Sequence, residues 1–223
     1  MDTIKAQKKS PASRKRAPGR PVADTLDQRE GVLDAALACF VAHGIAGTSL
    51  REIAKQAGVT PALLHYYFGD KAQLLAAVVE ARVLPVFHLI RAHLLEAGDD
   101  MSSLVLGFVD GVMQAVALHP WWPQLWVREV LCEGGALRDL LLTKVAPELS
   151  QLLLLRFQKA QREGGMNPQL DPRLLLPTLV GLTLLPAAGA AIWRELFDAH
   201  DLGMQDVRRH ALALLDRGLE LTP

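Results

Sequence analysis

From residue 23 onward apolar residues recur at three- and four-residue intervals, and no useful stretch alternates with a period of two. The pattern predicts an all-α protein. A first helix is expected from about Asp27 to His43, with Leu33, Ala36, Leu37 and Phe40 as its stripe and Gly44 and Gly47 as its interruption. Ser49 followed three residues later by Glu52 is a capping box, in which each side chain satisfies a backbone N–H at the start of a helix. Leu50, Ile53, Ala54 and Ala57 continue at helical spacing, and Gly58 stands where a helix end needs a left-handed residue. Thr60-Pro61 then opens another helix, an N-cap with proline at the first helical position. Two short helices joined by a Gly-containing turn make a helix-turn-helix. In its second helix Leu64 and Phe68 face the core, leaving Ala62, Leu63, His65 and Tyr66 for an outer face. Asp70 caps a fourth helix from Lys71, with Leu74, Leu75, Val78 and Val79 as its stripe, which Pro85 is expected to kink or end.

Further along, Met101 to Leu118 is apolar except for Asp110 and Gln114. Prolines then flank Trp121, Trp122 and Trp126 and mark a helix boundary. With Phe87, Phe108 and Met113 these rings make a candidate pocket for a flat or greasy ligand; the competing reading is a core corner that needs large side chains. Arg128 and Glu129 read as a solvated pair, with a pocket charge at either one as the alternative. A long helix is expected from about Ala136 to Glu163, carrying Leu140, Leu141, Val145, Leu149, Leu152, Leu153 and Phe157, and a last one from Met204 to about Leu219. Between them Leu174–Trp193 is 20 residues without a formal charge, the single stretch of that kind and about the length of a membrane span. Its Pro177, Gly181, Pro186 and Gly189 favour instead a kinked helix buried against protein on most sides, with no membrane as partner.

Charge changes the picture. The 223 residues hold 24 basic and 24 acidic side chains, a balance that on its face argues against a nucleic-acid partner. The zero is a sum of unlike parts. Residues 1–22 carry seven basic side chains against Asp2 alone, and residues 23–223 carry 17 basic against 23 acidic. Pro11, Pro18, Gly19 and Pro21 keep this +6 arm from forming a helix, so it reads as disordered. Such an arm is ordinarily a solvated tail; the functional reading is an arm that neutralises phosphates or enters a minor groove, with Arg14, Lys15, Arg16 and Arg20 as the candidate contacts.

Residues 29–75 resemble the TetR family of bacterial repressors. The resemblance is carried by Val32-Leu33-Asp34-Ala35-Ala36, Phe40, Gly44, Thr48-Ser49-Leu50-Arg51-Glu52-Ile53-Ala54, Ala57-Gly58-Val59-Thr60, Tyr66-Tyr67-Phe68 and Lys71-Ala72-Gln73-Leu74-Leu75. It departs from the family pattern at His65, commonly Tyr, and at Gly69, commonly Lys or another polar residue. The resemblance implies an N-terminal three-helix DNA-binding domain over residues 23–70. It also implies a helical ligand-binding and dimerisation domain over 71–223, with 71–95 as the connecting helix. Implied partners are a double-stranded DNA operator, a second copy of the chain paired through the last two helices, and a small-molecule effector. Implied DNA contacts are Thr60, Ala62, Leu63, His65, Tyr66 and Tyr67 on the recognition helix, with Thr48, Arg51 and Lys71 clamping the backbone from flanking helices.

Nothing comparably specific points to an enzyme. There is no Gly-rich phosphate loop or nucleophile elbow, the seven histidines are scattered, and neither a metal site nor a cofactor is expected. Cys39 reads as a small buried hydrophobe. Two cysteines and an N-terminus without an apolar core fit a reducing cytoplasm. Two rival readings are a helical ligand-binding or enzymatic protein whose helix-turn-helix no longer binds DNA, and a membrane-associated protein anchored by 174–193.

Overall fold

The structure, a computed structural model, describes residues 22–98 and 100–219. The candidate arm residues Arg14, Lys15, Arg16 and Arg20 lie outside this range. The described residues are helical, without strands, as the periodicity predicts. Four helices form the head: α1 (Val22–His43), α2 (Leu50–Gln56), α3 (Pro61–Phe68) and α4 (Lys71–Val78). The body contains α5 (Leu84–Glu96), α6 (Met101–Leu118), α7 (Trp122–Trp126), the single turn α8 (Arg138–Leu140), α9 (Ala146–Arg162), α10 (Pro172–Ala188), α11 (Ala190–Leu196) and α12 (Met204–Leu219). In the body α5 packs along α6, and α6 meets α10 and α12.

The local signals in the head are realised atom by atom. Ser49 Oγ accepts from the Glu52 N–H while the Glu52 carboxylate accepts from the Ser49 N–H at 2.7 Å. Gly58, with φ +66°, donates to Lys55 O, and Val59 donates to Ala54 O, the paired bonds of a Schellman end. Thr60 and Asp70 cap α3 and α4 by accepting from Leu63 N and Gln73 N. Leu33, Phe40, Ile53, Leu64 and Leu74 fill one core. That core continues into the body through Leu125, Val130 and Leu137, while a second core centres on α5, α6 and α10.

Pro85 does not end its helix. The chain stays helical from Lys71 to Glu96, but passes through a π-helical turn at Val79–Val83. A proline lacks the N–H for the i−4 carbonyl and its ring collides with that carbonyl; widening the preceding turn to i−5 bonding relieves both. The same arrangement recurs at Leu141–Val145 ahead of Pro147, so the long helix expected from Ala136 consists of α8, a π turn and α9. A third π turn, Val127–Leu131, follows α7. Gly135 packs so closely beneath it that a Cβ there would lie 2.4 Å from the Glu129 carbonyl oxygen.

The uncharged stretch 174–193 is not one rod. α10 and α11 bend by 72° at their junction, Gly189. Nor is it buried on most sides: Leu175, Leu179, Thr183 and Leu184 are buried, while Leu174, Leu185 and Ile192 are exposed. By length and hydropathy two further helices, Lys71–Glu96 and Met101–Leu118, also pass the test for a membrane span, so the stretch is not single in that respect. Much of the apolar surface of α6 is taken up in the second core.

Two body caps titrate. The Asp171 carboxyl is held down at about 2 by the Arg173 side chain and then the Arg173 N–H, and Asp100 is lowered by the Ser103 hydroxyl and N–H. Carboxyls depressed in the folded state contribute stability that is lost as pH falls through their folded pKa. Acidification from about 4 to about 2 should therefore fray the first turns of α6 and α10. Far-UV circular dichroism should register it, and Asp100→Asn with Asp171→Asn, which keep a capping oxygen but cannot titrate, should flatten that part of the curve.

Candidate functional site

α3 presents an exposed surface along one side. Leu64 and Phe68 anchor it, Ala62, His65 and Tyr66 are exposed, and Leu63 and Tyr67 are half-buried. Tyr66 is 81% exposed although its ring is large and apolar, so its hydroxyl and one ring face are free. Its other neighbour is Tyr67, edge-on at 5.7 Å, which in turn meets Phe68 at 6.2 Å. Arg29 from α1 lies over the Phe68 ring at 5.1 Å and steadies the base of this row. The N-terminus of α3 is open to solvent at Thr60 and Pro61, which leaves its positive dipole end available to an anion. Gly69, at φ +69°, turns the chain from α3 into α4; a Cβ there would meet the Gln73 side-chain oxygen at 2.1 Å. The residue that costs a phosphate-binding charge at this position is thus set by backbone geometry.

The flanking residues divide. Arg51 is exposed on α2 and makes no ion pair among the described residues. Lys71 Nζ donates to the Ala46 carbonyl at 3.1 Å, which ties the start of α4 to the turn after α1. Thr48 is a correction. It is only 2% exposed, and its hydroxyl donates to Gly44 O at 2.7 Å with Cys39 O nearby at 3.2 Å, so the side chain clamps the α1–α2 turn and does not present a phosphate donor. Cys39 is buried beneath it, and burial, then the Glu52 charge, push its thiol up.

Three side chains fasten the head to the body: Arg82, which sequence reasoning passed over, and Arg128 and Glu129, which it read as a solvated pair. Arg82, in the first π turn, spans Glu30 and Asp34 of α1, each at 2.8 Å. Arg128 donates to Val41 O at 2.8 Å, at the end of α1. Glu129, expected in a solvated pair, is 5% exposed; its carboxylate accepts from Ile45 N at 2.9 Å and from Ala136 N at 3.1 Å. No sequence spacing marks these contacts, since Glu129 and Ile45 are 84 residues apart.

On the other side of the same π turn lies a cavity of about 430 Å³ among α5, α6, α7, α9 and α10. This is the size range of small-molecule sites. Phe87, Phe108, Trp122 and Trp126 line it, and Phe87, Trp122 and Trp126 meet one another at ring-centroid distances of 5.9–6.1 Å. Trp126 and Leu131, at the two ends of the turn that holds Glu129, both face this space. Two candidates are placed elsewhere: Met113 is buried in the second core, and Trp121 packs beside His119 over a shallow hollow against α1. Among the described residues no group of three or more His, Cys, Asp or Glu is placed to hold a metal ion.

Residues 32–78 match the family model for bacterial regulatory proteins of the tetR family. The transcriptional regulator SrpR of Pseudomonas putida is 36% identical over 67 residues, which are 30% of this chain and 32% of that one. The likeness to the first curated relatives thus spans only 32% to 50% of their length. Over the whole chain the fold is similar to the ketosteroid transcriptional regulator KstR2 of Mycobacterium tuberculosis, with a TM-score of 0.69, 18% identity, and 87% and 96% of the two chains covered. It is also similar to the fatty acid degradation regulator FadR from Bacillus halodurans, with a TM-score of 0.60, 19% identity, and 94% and 100% covered. The head thus carries the sequence pattern of bacterial regulatory proteins of the tetR family over residues 32–78, and the chain as a whole shares the fold of these two solved regulators.

Proposed function

We propose that this chain is a cytoplasmic, homodimeric transcriptional repressor that binds a palindromic operator through α3 and leaves it when a small molecule fills the body cavity. The observation that carries the reading is the open face of α3: Ala62, His65 and the 81% exposed Tyr66 have no structural task in the head. In the major groove Ala62 and Leu63 suit thymine methyls, His65 offers one donor or acceptor per nitrogen, and Tyr66 and Tyr67 reach phosphates. Residues 23–70 would serve as the DNA-binding unit and 71–223 as the effector and dimer unit, with 71–95 connecting them. The second copy would pair along α10 and α12, where Leu174, Leu185 and Leu214 are exposed. Two-fold pairing would set the recognition helices about 34–36 Å apart, one turn of DNA. SrpR is named a transcriptional regulator, and no enzymatic step is part of this function.

Fluorescence anisotropy on DNA flanking the gene tests it. A palindromic site should bind the wild type, and Tyr66→Ala, which removes a charge-assisted hydrogen bond from each half-site, should weaken binding at least about tenfold. Equal binding by the variant, or no palindromic site, would count against the reading.

A further inference from the structure

The apolar cavity does not close on itself. Phe87, Val145 and Leu149 line both it and an adjoining cleft of about 140 Å³. The character of the walls changes at that boundary. In the large cavity Ser150 is the only lining residue with a hydroxyl, and no side chain is charged. The cleft is lined by His88, Arg91, Lys144 and Glu148.

We propose that the ligand is an amphipathic anion, a long-chain carboxylate whose apolar chain fills the large cavity and whose headgroup sits in the His88–Arg91–Lys144 cleft. The inference rests on the cavity being the effector site and adds the chemistry of what enters it. A charged group placed deep among Phe108, Trp122 and Leu184 would lose its water and meet at most the unpartnered Trp126 indole N–H, one neutral donor that cannot replace a carboxylate's hydration, so the ligand's charged end belongs at the cleft. The cleft is biased toward anions. His88 and Arg91 are three residues apart on α5 and so share a face, and Lys144 approaches from the opposite wall. The one acid, Glu148, pairs only with Arg91, at 3.4 Å, and both side chains are more than half exposed, so an entering carboxylate can compete for the guanidinium. Lys144 makes no ion pair among the described residues. Its position follows from Pro147: the π turn that the proline imposes sets Leu141 and Val145 against the large cavity and Lys144 against the cleft.

Dodecanoate and dodecanol, below micellar concentrations, distinguish the headgroup from the chain, with quenching of the full-length protein's tryptophan emission as the readout. Dodecanoate should bind about tenfold or more tightly than dodecanol, the gain expected from charge-assisted contacts. The Arg91→Ala, Lys144→Ala double variant should reduce dodecanoate to the affinity of dodecanol and leave dodecanol unchanged. Both substitutions are at exposed side chains, and an unchanged thermal transition confirms folding. Val180→Trp, or Leu176→Trp should the first fail to fold, fills the large cavity and should block both probes. Equal wild-type affinities that Val180→Trp abolishes would overturn the anion and leave the cavity standing. Binding of neither probe, or binding indifferent to both tryptophan variants, would overturn both. A preference for dodecanoate that survives the double variant would overturn the assignment of the cleft.

Discussion

Glu129→Ala is expected to lower the stability of the folded chain by about 2 kcal/mol or more, a drop in melting temperature of about 4–8 °C for a protein of this size. The Glu129 carboxylate holds the Ile45 N–H in a buried position and the Ala136 N–H in a partly buried one. Neither amide donates to a backbone carbonyl in the turns around it. Removing the acceptor leaves the buried Ile45 donor without water or protein, the most expensive way to lose a hydrogen bond, while the partly buried Ala136 donor is left to solvent. The gain from no longer burying a charge offsets only part of this, because two N–H dipoles already solvate that charge. Glu129→Gln, which keeps one carbonyl oxygen but turns an NH₂ toward the other donor, should fall between wild type and alanine. Urea titrations followed by circular dichroism check both; a midpoint shift equivalent to less than about 0.5 kcal/mol for the alanine variant would sink the prediction.

Removing residues 1–21 should have the largest effect on DNA affinity. All seven basic residues of the arm are in this segment, and the remainder of the chain carries an acidic surplus of six. Each phosphate neutralised contributes about 0.9 to the slope of log K against log salt. The truncated protein should therefore show a slope shallower by several units and, near physiological salt, an affinity lower on the order of a hundredfold. Anisotropy titrations from low to high salt measure both quantities. The two proteins giving parallel salt plots would mean that the arm does not touch the backbone. The base preference carried by α3 should survive truncation, since phosphate contacts position the head while base edges specify the site.

What was legible in the sequence was local. Ser49 with Glu52, Thr60 with Pro61, Asp70 and Gly58 each act within a few residues of themselves, and the structure realises each as read. The apolar stripes of α1 and α3 also face the core as their periodicity requires. What was not legible depends on distant packing. Thr48 precedes a capping box and reads as an exposed hydroxyl; it is buried because α1 and α2 close over their turn. Glu129 reads as solvated until residue 45 arrives beside it. Adjacent tryptophans part because successive helical residues point about 100° apart, sending Trp122 into the cavity wall and Trp121 toward α1. The π turns had a partial signal: Pro85 and Pro147 each stand two residues beyond one, and a proline within a helical pattern must displace a carbonyl somewhere.

Those turns also give the chain places where its length can change at little cost. Each π turn holds one residue more than an ordinary helical turn along the same path. Deleting a residue from Val79–Val83, Val127–Leu131 or Leu141–Val145 would restore the tighter pitch and leave the flanking side chains close to their present directions. The same deletion in a regular α-helical stretch would swing every downstream side chain by about 100°. An alignment gap inside one of the three turns would therefore mark a relative that keeps the cavity wall, and a gap elsewhere in these helices one whose cavity is built differently.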